Sequence, residues 1–444
     1  MEPKAGWLPR KDLVIGLLFA LLCFLVYRSA KFGGTMDTYL HIPIASTIYQ
    51  GKGMAIERWR ETPEFKPLFQ MNFWMTERKG HIYSFFPFGS SLLAIPYVAA
   101  MGADSIQAQG FDHFAAQQNL ASILTAISAF LIYLTLGKIA RKKRNALGAS
   151  VAVALGSPLY STAAVGIWPH TGGLVCIGFA LYTLVSSLQQ KNPWSPVNFL
   201  VSGLLMGIAC AIRPTNAVFV GAILLYLVWL KHRRDLALFA FGLAITMGWA
   251  LYLSHANYGT WLPPYIGEQQ LQSPIPEALA AYVISPGRGL LVFLPLSIFS
   301  IFSVPVLWRS ASGLLSHRTK WGLLLLLCAG VVLTNYVVFC SWGGWWGGWS
   351  YGPRFWCESL PFLAILSLVG YERITLNSLW ARQDPGRPIL HTAIGAMIVW
   401  SLWIHATGAN FSSTMLWNRN QPDTGLSSER IWDWQNPQWM APYR

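Results

Sequence analysis

Charge is what this sequence has least of. Asp, Glu, Lys and Arg make up 11% of its 444 residues while hydrophobic residues fill 54%, whereas a soluble globular domain carries roughly 25% charged residues. An ordinary soluble domain is excluded, and a polytopic membrane protein is implied. Acidic groups are scarcer still, 18 against 32 basic ones, for a formal charge of +14. The basic residues lie in short clusters between apolar runs, the pattern that orients membrane helices, so nucleic acid is not the partner this charge points to. The six cysteines (Cys23, Cys176, Cys210, Cys328, Cys340 and Cys357) fall in or beside apolar segments with no CxxC spacing. They give no sign of a disulfide framework or a zinc site and read as packing residues. HExxH, the P-loop, GxSxG and a GxGxxG entering a helix are all missing, so nothing points to proteolysis, ATP hydrolysis or a nucleotide-bound cofactor.

What is present is a series of apolar runs. The first, 13–27, follows Lys4, Arg10 and Lys11 like a signal peptide, but no small-residue cleavage pattern follows it, and it reads as an uncleaved first helix. Ten further spans are expected at 119–137, 146–163, 171–188, 197–212, 215–230, 236–254, 289–308, 321–340, 355–371 and 389–406, several of them short for ~30 Å of hydrocarbon. The piece 90–101 is interrupted by Pro96 and is expected not to cross. Lys138, Arg141, Lys142, Lys143 and Arg144 share one short loop, and Lys231, Arg233 and Arg234 another. Positive-inside places both in the cytoplasm with the N-terminus, with the loop of Arg318 and Lys320 and with that of Arg382 and Arg387. The expectation is an all-α bundle of about eleven transmembrane helices, N-terminus inside and C-terminus outside. Residues 1–406 form the membrane module, 31–118 within it being a first outer loop with juxtamembrane helices, and 407–444 form an extracytoplasmic tail rich in tryptophan.

The outer face so defined collects the unusual residues. Asp37, just past the first helix, is a carboxylate at the membrane surface, suited to act as a general base. His41, four residues on, would share a helical face with it and orient it. The run from Ser341 to Arg354 is rich in Gly and Trp: glycines admit close backbone approach, Trp349 and Tyr351 offer faces for a sugar or a polyprenyl tail, and Arg354 can fork onto phosphate oxygens. Arg288, in Ser285 Pro286 Gly287 Arg288 Gly289, would open the span at 289 with backbone donors facing outward, an anion site. Arg213, before Pro214, would point into a recessed cavity, and His170 could touch a phosphate. Glu268 is a second acidic candidate.

Taken in order, Asp37, the segment Tyr83 Ser84 Phe85 Phe86 Pro87 Phe88 Gly89, Ile212 Arg213 Pro214 Thr215, Ser285 to Gly289 and Gly348 to Arg354 resemble the GT-C superfamily of integral membrane glycosyltransferases. The branch is similar to protein O-mannosyltransferases and the aminoarabinose transferase of lipid A. The resemblance implies a GT-C-like helical bundle in a membrane, its compact loops suggesting a bacterial inner membrane. It also implies a polyprenyl-phosphate sugar donor, transfer with inversion to a hydroxyl of a lipid, glycan or protein acceptor on the extracytoplasmic side, and Asp37 as catalytic base. Such enzymes often carry a second carboxylate in the next outer loop, where this chain has Trp168 Pro169 His170. The scheme requires no cofactor and leaves room for a divalent metal at Asp37. A flippase for lipid-linked sugars, or a surface polysaccharide ligase or polymerase, would use the same arginines.

Overall fold

The computed structural model describes residues 10–31, 33–71, 74–108, 110–188, 195–267, 275–306, 319–376 and 386–444. Five of its helices are long and apolar enough to cross a membrane: His113–Ile139, Pro169–Ser187, Arg233–Tyr258, Lys320–Cys340 and Pro388–Asn410. The first two are 78% buried over their most apolar window and the last of them 17%, which sorts the bundle into an inner pair and a rim. Rim side chains such as Leu225, Phe241, Ile389 and Val399 lie open, as apolar surface does when its solvent is lipid rather than water. The helical membrane fold expected from the sequence is thus the one found. All six cysteines are buried and unpaired.

Local chemistry sets where the helices begin and end. The Asp112 carboxylate accepts from Ala115 N, capping His113–Ile139, Pro169 occupies the first turn of Pro169–Ser187, and Gly259, at φ 78°, closes Arg233–Tyr258 in the left-handed conformation that favours glycine. The helices Ser195–Ile212 and Arg233–Tyr258 pack backbone on backbone: a Cβ at Gly203 would lie 2.1 Å from the Phe239 carbonyl oxygen, and one at Gly242 2.4 Å from that of Leu200.

Three expected spans take a different form. Within the expected span 289–308 the described residues 289–306 do not make one helix, because Pro295 interrupts them: a single turn Leu290–Phe293 is followed by a 3₁₀ segment Pro295–Ser303. The span at 146–163 is a 13-residue helix, Lys143–Leu155, broken around Gly156 and Pro158 before a π turn Leu159–Ala163. The span at 355–371 starts later, as Leu360–Leu376 after a 3₁₀ turn Arg354–Ser359. The helix Gly89–Met101 has 13 residues, a rise of about 20 Å that falls short of the bilayer core.

The segment between the first helix and His113 has structure of its own among the described residues. It holds a single turn Met36–Tyr39, the helix His41–Tyr49, and a two-stranded antiparallel hairpin, Met75–Arg78 with His81–Ser84, that the sequence reading did not anticipate. It is locked to the bundle at Gly89, where a Cβ would sit 2.2 Å from the backbone nitrogen of Ile212. No side chain fits there, and the contact brings this segment beside Arg213.

Candidate active site

Each side chain of the site is delivered by the end of an element. Asp37 sits in the turn Met36–Tyr39 and accepts a hydrogen bond from the Thr35 hydroxyl at 2.5 Å. Arg213 follows the last turn of Ser195–Ile212, which Pro214 cannot extend. His170 opens the helix behind Pro169. Arg354 begins its 3₁₀ turn after the Gly/Trp loop, whose Gly347, Gly348 and Gly352 take positive φ.

Asp37, His41, His170, Arg213 and Arg354, drawn from four distant parts of the chain, line one cleft together with Phe86, Tyr265 and Trp342. An Arg354 Nη1 lies 3.8 Å from Asp37 Oδ2. Its guanidinium is flanked by aromatic faces, 4.9 Å above the ring of Trp168 and 4.9 Å from that of Phe355. Its Nε is buried with no partner among the described residues. Burial holds the Arg354 pKa below its ordinary value, and Asp37 opposes that shift.

Arg213 packs against the other aromatic wall, 4.7 Å from Phe339 and 4.8 Å from Phe355, so one phenyl ring serves two guanidiniums. Its Nη1 is 3.3 Å from Glu358 Oε1, and His170 Nδ1 stands 2.6 Å from Glu358 Oε2. Glu358 was missed in the sequence because it lies inside an apolar run. A lone carboxylate in such a run is itself a signal, since an unpaired one would be costly there.

His41 departs from its expected role. The chain kinks at Leu40, the His41–Tyr49 helix starts afresh, and the His41 Nδ1 pairs with the Ser91 hydroxyl at 3.1 Å rather than with the Asp37 carboxylate. Burial pushes its pKa down to about 4, so it is neutral near pH 7.

Three candidates do not join the cleft. Arg288 is 2% exposed and spends its guanidinium on protein acceptors: Nε on the Trp346 carbonyl (2.6 Å), Nη1 on the Gly287 carbonyl and Gln438 Oε1 (2.9 and 3.0 Å), and Nη2 on the Gly348 carbonyl (3.0 Å). The outward helix N-terminus expected beside it is a single turn, and the Arg288 and Gly289 backbone nitrogens already donate to Ser285. Arg288 is therefore the clasp of the Gly/Trp loop. Arg288→Met should cost about 2 kcal/mol or more of stability, read by denaturant unfolding in detergent, because buried carbonyls lose charged donors. Tyr351 is buried, its hydroxyl donating to the Ile404 carbonyl at 2.6 Å. Trp349 faces the tail, its Nε1 donating to Asp423 Oδ1 at 2.6 Å with Arg419 stacked 4.9 Å from its ring. Glu268, Lys4, Arg318 and Arg382 lie outside the described residues. Among the described residues no group of three or more His, Cys, Asp or Glu side chains gathers as a metal centre would require.

Against known proteins, residues 95–258 match the family described as dolichyl-phosphate-mannose-protein mannosyltransferase. The sequence matches no curated protein. The fold is similar to that of the archaeal oligosaccharyltransferase AglB from Archaeoglobus fulgidus, solved with an inhibitory peptide and a dolichol-phosphate, at TM-score 0.52 and 12% identity. That likeness covers 96% of this chain and 60% of AglB, so the chain spans only three-fifths of that protein's length. An Archaeoglobus fulgidus oligosaccharyltransferase in the apo form gives the same values. ArnT from Cupriavidus metallidurans, solved with undecaprenyl phosphate, aligns at TM-score 0.49 and 15% identity over 93% of this chain and 69% of its own. Over residues 95–258 the chain carries the sequence pattern of the dolichyl-phosphate-mannose-protein mannosyltransferase family, and over nearly its whole length its fold is similar to that of the archaeal oligosaccharyltransferase AglB.

Proposed function

We propose that this chain is an integral membrane glycosyltransferase that moves a sugar from a polyprenyl-phosphate donor to a hydroxyl acceptor on the extracytoplasmic side, with inversion at the anomeric carbon. The observation that carries this reading is the meeting of one partly open carboxylate, Asp37, with one incompletely partnered guanidinium, Arg354, at the mouth of an aromatic-walled cleft. A transferase of this kind needs a base for the acceptor and a cation for the leaving phosphate.

In the proposed step Asp37 takes the proton of the acceptor hydroxyl as its oxygen bonds to the anomeric carbon. The bond from that carbon to the phosphate oxygen breaks, and the polyprenyl phosphate leaves with the electron pair. Arg354 neutralises the charge that develops on it. Arg213 stands behind, its Nη1 committed to Glu358, and supplies a second positive charge through the shared Phe355 wall. Arg288 acts at one remove by holding the loop that ends in Arg354. For a sugar to lie between base and phosphate, the Asp37–Arg354 contact opens as the donor enters. The AglB structure was solved with a dolichol-phosphate, the class of lipid that the cleft's chemistry suits.

The test is made in proteoliposomes with the purified protein and radiolabelled polyprenyl-phosphate sugars. Release of label from the lipid supports transfer. Movement of intact lipid between leaflets with no release means that the chain is a carrier.

A further inference from the structure

The tail from Ser413 onward builds a second polar cavity, distinct from the cleft. It measures about 270 Å³ and is lined by Ser413, Trp417, Asn420, Arg430, Asn436 and Arg444, among others. Its distinctive member is Arg430. The residue is 9% exposed and its guanidinium carbon lies over Trp417, 4.4 Å from the ring centre. Yet Nη1 is buried with no hydrogen-bond partner among the described residues. The nearby carboxylate that could satisfy it, Asp433, is turned instead to the backbone nitrogens of Gln435 and Asn436, at 3.0 and 2.8 Å. A buried guanidinium nitrogen left without an acceptor is costly, and Nη1 is held here without one among the described residues. Trp417 is itself anchored, Nε1 to the Asn436 carbonyl at 2.8 Å.

We infer that this cavity is a binding site for an oxyanion, carboxylate or phosphate, borne by a hydroxyl-rich ligand such as a sugar acid or sugar phosphate, with Arg430 as the anion ligand. Arg430 supplies the charge-assisted donors, and Asn420, Asn436 and Ser413 bring the amide and hydroxyl groups that read sugar hydroxyls. The cavity is bonded to the catalytic loop. Gln438 Nε2 donates both to the carbonyl of Thr414, next to Ser413, and to that of Ser350, at 2.9 and 2.8 Å. Gln438 Oε1 accepts from Gly352 N, two residues before Arg354. The site is thereby tied to the loop that ends in Arg354; that an occupied site bears on transfer rests on the transferase reading, whereas the existence of the site does not.

The experiment titrates the intrinsic tryptophan fluorescence of the full chain in phosphatidylcholine nanodiscs with glucuronate, glucose 1-phosphate and inorganic phosphate. Saturable binding is expected in the wild type, with Kd raised at least tenfold in Arg430→Met and in Asn420→Asp, which sets a like charge against the anion without removing the arginine. Arg419→Met, which alters a cation stacked on Trp349 outside the cavity, should bind as wild type. No saturable binding in the wild type, or unchanged binding in both cavity variants, overturns the site. Phosphatidylglycerol nanodiscs separate the sources: if they suppress soluble binding in the wild type the occupant is a lipid headgroup, and if they do not it is a soluble anion. Label release from the donor, measured on the same preparations, tells failure of this site from failure of the transferase reading.

Discussion

Asp37→Asn is expected to reduce sugar transfer by about 10²–10⁴-fold, the span that loss of a positioned general base produces. Asparagine keeps the shape and can still receive the Thr35 hydroxyl on its amide oxygen, so the turn Met36–Tyr39 should persist. What is lost is the proton acceptor and the charge facing Arg354 at 3.8 Å. Without that competing carboxylate, Arg354 should hold the donor phosphate at least as tightly as before. The expected signature is a collapsed turnover with undiminished binding of polyprenyl phosphate, measured by label release and by lipid binding on the same preparation. Turnover near wild type would remove Asp37 from the chemistry, and a variant that moves intact lipid as well as the wild type would make the chain a carrier.

Glu358→Ala is expected to produce the largest loss of stability, about 3–5 kcal/mol. Glu358 is 1% exposed and is the carboxylate that faces both Arg213 and His170. Removing it strands Arg213 between two phenyl rings with its charge unmatched. The double variant Glu358→Leu with Arg213→Met should recover much of the loss, because it removes both charges rather than one. Denaturant unfolding in detergent reads both. If the single variant unfolds like the wild type, the pair is not what holds the helix ends Arg213 and His170 together.

The sequence made legible those residues whose surroundings are set locally. Arg213 could be placed because an apolar run ends on it and Pro214 forbids continuation, and Asp37 because it follows the first helix directly. The helical membrane architecture was readable in the same way, from runs long enough to span. Arg288 was not, since its fate depends on carbonyls at positions 346 and 348 and on Gln438, which only folding brings near. Tyr351 likewise reads as a ligand face until the Ile404 carbonyl takes its hydroxyl. Residues 289–308 had the hydropathy of a span, and Pro295 within them was the neglected signal. Glu358 was hidden by its apolar neighbours, and its partners lie far away in sequence.

The pairing of charges in the cleft also bears on how a donor arrives. Two guanidiniums, Arg213 and Arg354, face two carboxylates, Glu358 and Asp37, so little net field reaches beyond the walls to pull an anion in from a distance. Capture then depends on the lipid tail diffusing sideways through the bilayer until its phosphate meets Arg354 at contact range. Donor encounter should accordingly be almost indifferent to ionic strength, unlike that of an enzyme which steers its substrate through water.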